Sequence, residues 1–194
     1  MYHFKIIMIG DNMAGKSSMM YRYRNGCFKH MESTIGVDFC AKSLVMEPGV
    51  RVNLQILDTA GHERFWDVIL SYIPGSAGCL LVFDLGNRRT FNLIKYRYSA
   101  VRAKVHPYSL LFVLVGHKCD REEREVSQEE VEEFASEVGV PYIEASAKTG
   151  HNVAEAFELL THHIYQGLIS GEVHLHESWG KIENKNNDQS RLAS

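Results

Sequence analysis

Little in this chain points to disulfide, metal-cluster or membrane chemistry, and each scarcity removes a class of function. Its four cysteines, Cys27, Cys40, Cys79 and Cys119, are widely scattered and form no CxxC pair. That spacing suggests neither a disulfide framework nor a zinc site, and buried or idle thiols in a reducing cytosol are the expectation. A basic surplus is also missing: 21 Lys and Arg face 24 Asp and Glu, for a net charge of -3 and a pI near 6.4. Nucleic acid is not an expected partner of such a balance. No run approaches the roughly 20 apolar residues that a membrane span requires. The opening MYHFKIIMIGD has too short an apolar stretch for a secretory signal and lacks the small-residue cleavage pattern. A cytoplasmic protein is expected, with any membrane attachment supplied by a lipid or a partner.

What is present is a chain of 194 residues with 45% hydrophobic content, enough for one domain with a sizeable core and a short appendage. Apolar, β-rich runs recur at Phe4 to Ile9, Val52 to Leu57, Cys79 to Phe83 and Leu110 to Val115, separated by segments with helical spacing. That alternation predicts an α/β sheet. The continuously apolar runs near Cys79 and Leu110 suit central parallel strands covered on both faces. Thr90 to Val105 reads as a helix; Ser127 with Glu130 forms a capping-box start for another, stopped near Val138 by Gly139. Val153, Ala156, Phe157, Leu160 and Ile164 predict a final amphipathic helix over Asn152 to Ile169. Strand-like arms around Glu47-Pro48-Gly49 predict a hairpin that adds an antiparallel edge. The domain is expected to span residues 1–171, and the polar 172–194 to form a disordered tail.

Gly10-Asp11-Asn12-Met13-Ala14-Gly15-Lys16-Ser17 satisfies GxxxxGK[ST] between a predicted strand and a predicted helix, the context that gives this motif its meaning. Glycines let backbone N–H groups turn onto phosphates, the helix N-terminus favours their charge, Lys16 reaches the β and γ groups, and Ser17 can ligate Mg²⁺. Asp58, at the end of an apolar strand, is the expected second metal-side residue. Gly61 can offer its N–H to a γ-phosphate because no side chain blocks the approach. Gly116-His117-Lys118-Cys119-Asp120 and Ser146-Ala147-Lys148 each follow a strand, where an open α/β sheet binds its ligand.

With those motifs in order, and with TIGVDF and LDTAGHERF between them, the chain resembles a Ras-like small GTPase of the Rab type over about residues 4 to 170. The resemblance implies a P-loop G domain: a six-stranded, mostly parallel sheet with one antiparallel edge strand and about five flanking helices. It implies GTP and GDP as ligands with Mg²⁺, held by Ser17, Thr34 and Asp58. Nucleotide contacts are implied from Asn12, Met13, Ala14, Gly15, Lys16, Ser17, Ser18, Phe28, Thr34, Gly61, His117, Lys118, Asp120, Ser146, Ala147 and Lys148. Asp120 would select guanine, and Ala147 would offer a backbone N–H to the guanine oxygen. Ser33 to Phe39 and Gly61 to Tyr72 would be switch segments, ordered by γ-phosphate contacts and released on hydrolysis. Exchange factors, GTPase-activating proteins and trafficking effectors are the implied partners, the last through Ile35, Phe39, Trp66 and Tyr72.

Several residues depart from the family pattern. His117 stands where an asparagine usually bridges base and phosphate loop, replacing an amide by a ring of different shape. His62 stands where a glutamine usually orients the attacking water. Its one donor and one acceptor lie on opposite sides of a rigid ring, so hydrolysis involving His62, Gly61 and Lys16 is expected to be slow. The alternative is that an activating protein supplies its own groups and His62 is a bystander. Leu57 replaces the tryptophan of an aromatic triad completed by residues matching Phe39 and Tyr72. It either shifts the partner set or merely fills the sheet surface. Trp66, where arginine is frequent, could serve a partner or pack inward. Ser17 and Thr34 are one residue closer in sequence than is usual. No cysteine follows Cys119, so the family's prenyl acceptor is not in this sequence and membrane association stays open.

His162-His163 and His174-x-His176 lack carboxylate or cysteine partners at sensible spacing and read as surface histidines. Two functional readings remain: a Rab-like switch in vesicle trafficking that hydrolyses GTP slowly, or a GTP-binding scaffold that does not hydrolyse and is governed by exchange or partners. An ATP-dependent phosphotransferase would leave Asp120 and Ser146-Ala147-Lys148 without a use.

Overall fold

A computed structural model of the chain describes residues 1–31, 37–105 and 110–173. Within them the order is β1 (Tyr2–Ile9), α1 (Lys16–Asn25), β2 (Val37–Glu47), β3 (Val50–Thr59), a 3₁₀ turn (Glu63–Phe65), α2 (Trp66–Ser71), β4 (Gly78–Asp84), α3 (Arg88–Lys104), β5 (Leu111–His117), α4 (Gln128–Val138), β6 (Tyr142–Ala145) and α5 (Val153–Ser170). Six strands form one sheet in the order β2-β3-β1-β4-β5-β6. Only β2 runs antiparallel, joined to β3 by the hairpin turn in which Gly49 adopts φ 82. This is the α/β architecture that the alternating pattern predicts, edge strand included.

Side-chain alternation divides the core into two layers. In β1, Phe4, Ile6 and Met8 face a cluster built with Met19, Met20 and Tyr23 of α1 and Phe157, Leu160 and Ile164 of α5. Ile7 and Ile9 face the other side, against Ile69 of α2, Phe91, Ile94 and Tyr98 of α3, and Val131 of α4. Every residue of β4 is buried, as a strand covered on both faces requires. Among the helix tyrosines, Tyr23 is buried and stacks on Phe157 at 4.5 Å, and Tyr98 is buried, while Tyr96 is 70% exposed.

Local signals hold at most boundaries. Ser127 Oγ accepts from the Glu130 N–H, and Gly139 closes α4 at φ 69. The reciprocal half of the capping box is diverted: the Glu130 carboxylate accepts instead from both terminal nitrogens of Arg88, at 2.6 and 2.8 Å. Val173, which a boundary at residue 171 assigns to the tail, is 5% exposed and donates its N–H to Gly167. Residues 174–194 lie outside the described residues, as do Glu32 to Gly36 and His106 to Ser109. The predicted roles of Ser33, Thr34 and Ile35, the pair His174-x-His176 and the remainder of the tail therefore concern residues outside the description.

Candidate nucleotide and phosphate site

The carboxyl ends of β1, β3, β4, β5 and β6 open on one edge of the sheet, and every motif residue within the described segments gathers there. Loop 10–15 leaves β1 and enters α1 through Gly15, whose φ of 85 belongs to the left-handed region. A Cβ at that position would lie 2.6 Å from the His117 ring, so both conformation and space demand glycine. The helix start has no side-chain cap and no acid in its first turn. Its leading N–H groups and the positive end of its dipole are thus directed at whatever anion the loop receives. Asp11 stiffens the loop by accepting from the Met13 N–H at 2.8 Å.

Lys16 is 4% exposed and spans the loop, donating to the carbonyls of Gly10 at 2.6 Å and Asp11 at 2.8 Å. Burial lowers its pKa to about 8; Asp58 opposes that fall, while the nearby Arg97 adds to it. Ser17 Oγ donates to the fully buried Asp58 carboxylate. A hydroxyl and a carboxylate meeting beside an anion cradle are hard oxygen donors of the kind Mg²⁺ prefers, when phosphate and water complete the shell. Among the described residues no group of three or more His, Cys, Asp or Glu could hold a metal by itself.

On the other flank the His117 ring does what a bridging amide would. Nδ1 lies 2.6 Å from the Ala14 carbonyl and Nε2 accepts the Ala147 N–H at 3.1 Å. A carbonyl requires a donor and an N–H an acceptor, so the ring is the neutral Nδ1–H tautomer. Burial lowers its pKa to about 4, with the Ala14 hydrogen bond the largest opposing influence. Both ring nitrogens thus have a partner. Lys118, at the left-handed φ of 64, donates to the Met13 carbonyl at 2.8 Å and pairs with the buried Asp84 at 3.0 Å. Asp120 is exposed and accepts from Ser146 Oγ at 2.7 Å. Lys148 and Phe28 are exposed, while Ala147 and Ser146 are buried.

Gly61 rests directly on the phosphate loop: a Cβ there would be 1.9 Å from the Asn12 nitrogen. His62 is exposed and caps the 3₁₀ turn, its Nδ1 accepting from the Arg64 N–H at 3.3 Å. Leu57 is 1% exposed and sits opposite the exposed Phe39 in the β2–β3 register, so it fills the sheet and offers nothing to a partner directly. Trp66 is half-buried and packs inward against the core on the α3 side. Asp84 and Arg97 were not singled out by the motifs. Only the apolar surroundings of a lone aspartate at a strand end, and an arginine on the inner side of a helix, could have marked them.

Loop 10–17 and Asp58, at one end of a mostly parallel sheet, make this a P-loop nucleotide-binding domain. The Ras family model matches residues 5–166. The mouse Ras-related protein Rab-39A is 42% identical over 188 residues, covering 94% of this chain and 87% of its own. The mouse Ras-related protein Rab-42 is 38% identical over 93% and 86% of the two chains, and Rab-4 of Dictyostelium discoideum 42% over 90% and 85%. The chain belongs to the Ras family, in its Rab-type branch, and is a small GTPase of membrane trafficking that binds GTP and GDP and works with regulators and effectors. Among the described residues no helix is long and apolar enough to cross a membrane.

Proposed function

We propose that this Rab-type switch dwells in its GTP state because His62 performs poorly the task of a glutamine amide. The observation that carries the reading is the capping bond: Nδ1 of His62 is occupied by the Arg64 N–H. With its acceptor nitrogen engaged, the neutral ring has only Nε2–H to present, and it cannot accept a hydrogen bond from an attacking water without giving up the turn. A rigid imidazole offers no second acceptor in its place.

In this reading the phosphates lie on the N–H groups of Asn12 to Ser18, with Lys16 on the β and γ oxygens and Gly61 presenting its N–H to the γ group. Ser17, Asp58 and Thr34 would hold Mg²⁺, which supplies charge neutralisation of the phosphates when bound. Asp120 accepts from guanine, Lys118 lies along the base, Phe28 stacks near it, and Ser146, Ala147 and Lys148 close the base side. His117 ties the base loops to the phosphate loop through Ala14 and Ala147. The working domain reaches through Val173, which packs on Gly167 of α5, rather than stopping at residue 171. Effectors would meet Phe39, Tyr72 and Ile35, while Trp66 supports that surface from behind. The protein would act from the cytoplasm, on trafficking membranes.

Single-turnover hydrolysis of preloaded GTP, comparing the natural chain with His62→Gln, tests the proposal. At least tenfold faster hydrolysis in the variant, about 1.4 kcal/mol of barrier, is expected. Equal rates would refute it and assign the timing to an activating protein. A scaffold that never hydrolyses would show no turnover in either protein.

A further inference from the structure

Arg97, on α3, is 2% exposed, and its guanidinium bridges two backbone segments, the loop after β1 and the segment after β3. Nη1 donates to the Gly10 carbonyl at 3.0 Å, and Nη2 donates to the Gly61 carbonyl at 2.6 Å. One face of the guanidinium lies over the Trp66 ring, 5.1 Å from its centroid. A planar fork can hold two carbonyls and stack on an indole at once, which an ammonium cannot do. Burial pulls the Arg97 pKa down, and the neighbouring charges of Asp11 and Glu63 oppose that fall. Burying a cation is costly unless such contacts compensate it.

We propose that Arg97 is a positioning residue for GTP hydrolysis: a latch that docks the second switch on the phosphate loop and sets the backbone of Gly61 for the γ-phosphate. The Gly61 carbonyl belongs to the peptide joining it to His62, so the 2.6 Å bond fixes the plane from which both residues extend. Gly10 is held twice, by Arg97 and by Lys16 Nζ. The two cations thus share one carbonyl, and their mutual repulsion favours directing Lys16 toward an anionic ligand. Trp66 completes the latch from within the second switch itself. Departure of that segment must break the Arg97–Gly61 bond and lift the indole from the guanidinium together. This inference rests on the reading that Gly61 presents its N–H to the γ-phosphate.

The test uses the full chain with Trp179→Phe as background, which leaves Trp66 as the single tryptophan of the two. Arg97→Lys keeps the charge and Arg97→Met keeps the bulk; Gly61→Ala examines the underlying reading. Affinity for GDP and for a GTP analogue, single-turnover GTP hydrolysis and Trp66 fluorescence in the GDP and GTP-analogue states are measured for each. Both Arg97 variants are expected to hydrolyse GTP at least tenfold more slowly and to lose more affinity for a GTP analogue than for GDP, which has no γ-phosphate. Their Trp66 emission should no longer differ between the two nucleotide states. Unchanged hydrolysis and an unchanged Trp66 response in Arg97→Lys would overturn the latch, whatever Gly61→Ala does. Should Gly61→Ala hydrolyse normally, the reading of Gly61 fails on its own. Loss of GDP binding in Arg97→Met with retention in Arg97→Lys leaves the lysine variant to decide.

Discussion

Acid should weaken this domain through one ring. His117 is 3% exposed, with Nδ1 bound to the Ala14 carbonyl and Nε2 accepting from the Ala147 N–H. A proton on Nε2 would turn the acceptor facing Ala147 into a donor, and burial accordingly holds the pKa at about 4, below the ordinary 6.5. Because the folded value lies below the unfolded one, the unfolded chain takes up the proton first. The contribution is therefore fully present above about pH 6.5 and is lost as pH falls toward about 4. At about 1.4 kcal/mol per unit the whole effect is about 3 kcal/mol, of which about 2 is lost between pH 7 and pH 5. For a domain of this size that corresponds to a fall in Tm of roughly 4–8 °C. The assay is thermal or urea unfolding of the GDP-loaded protein at pH 7, 6 and 5, for the natural chain and for His117→Asn. The asparagine amide offers a donor and an acceptor but does not titrate. Between pH 7 and pH 5 the stability difference should move by about 2 kcal/mol in favour of the variant. Parallel curves for the two proteins would show that the ring is not a buried neutral bridge, and would refute the reasoning.

Three further outcomes are expected. Gly15→Ala places a methyl 2.6 Å from the His117 ring at a φ of 85, so it should cost about 1–3 kcal/mol in backbone strain alone and weaken fluorescent-GDP binding at least tenfold; unchanged affinity would separate the loop from the ring. Lys16 has its pKa lowered to about 8, and phosphate beside it favours the charged form, so GDP binding at pH 8.5 should take up protons. Calorimetric enthalpies would then depend on buffer ionisation at pH 8.5 and much less at pH 7, whereas independence at both would exclude Lys16 from the phosphates. Phe157→Ala removes a fully buried ring stacked on Tyr23 and should cost about 3–5 kcal/mol in urea unfolding; a loss below about 1 kcal/mol would contradict the packing of α5 on the sheet.

How far the sequence reached depended on whether a signal was local. Period-two apolar runs become strands because one face or both must be buried, and Phe4, Ile6 and Met8 oppose Ile7 and Ile9 as that period demands. Gly139 ends its helix because the left-handed residue is glycine, a choice readable at one position. The phosphate loop was legible for the same reason: its glycines, lysine and serine act through backbone between neighbouring elements. Partners brought from far along the chain were not. The capping box at Ser127 closed on only one side because Arg88, 42 residues away, outcompeted the Glu130 turn contact. Leu57 was open between partner surface and sheet filler until the β2–β3 register placed it, buried, opposite Phe39.

By itself the sequence determined an alternating α/β sheet and a P-loop motif at Gly10 to Ser17, because hydrophobic period and turn chemistry act over a few residues; a base-side role for His117 to Asp120 and Ser146 to Lys148 is what the resemblance to small GTPases implies. Tertiary structure alone decided that the His117 ring joins two loops, since only the approach of Ala14 and Ala147 gives each ring nitrogen its partner. It alone decided that Trp66 faces inward and that Arg97 joins Gly10 to Gly61, 51 residues apart in the chain. Such a contact depends on how a helix crosses a sheet edge, and no spacing along the chain encodes where a buried guanidinium will find its two carbonyls.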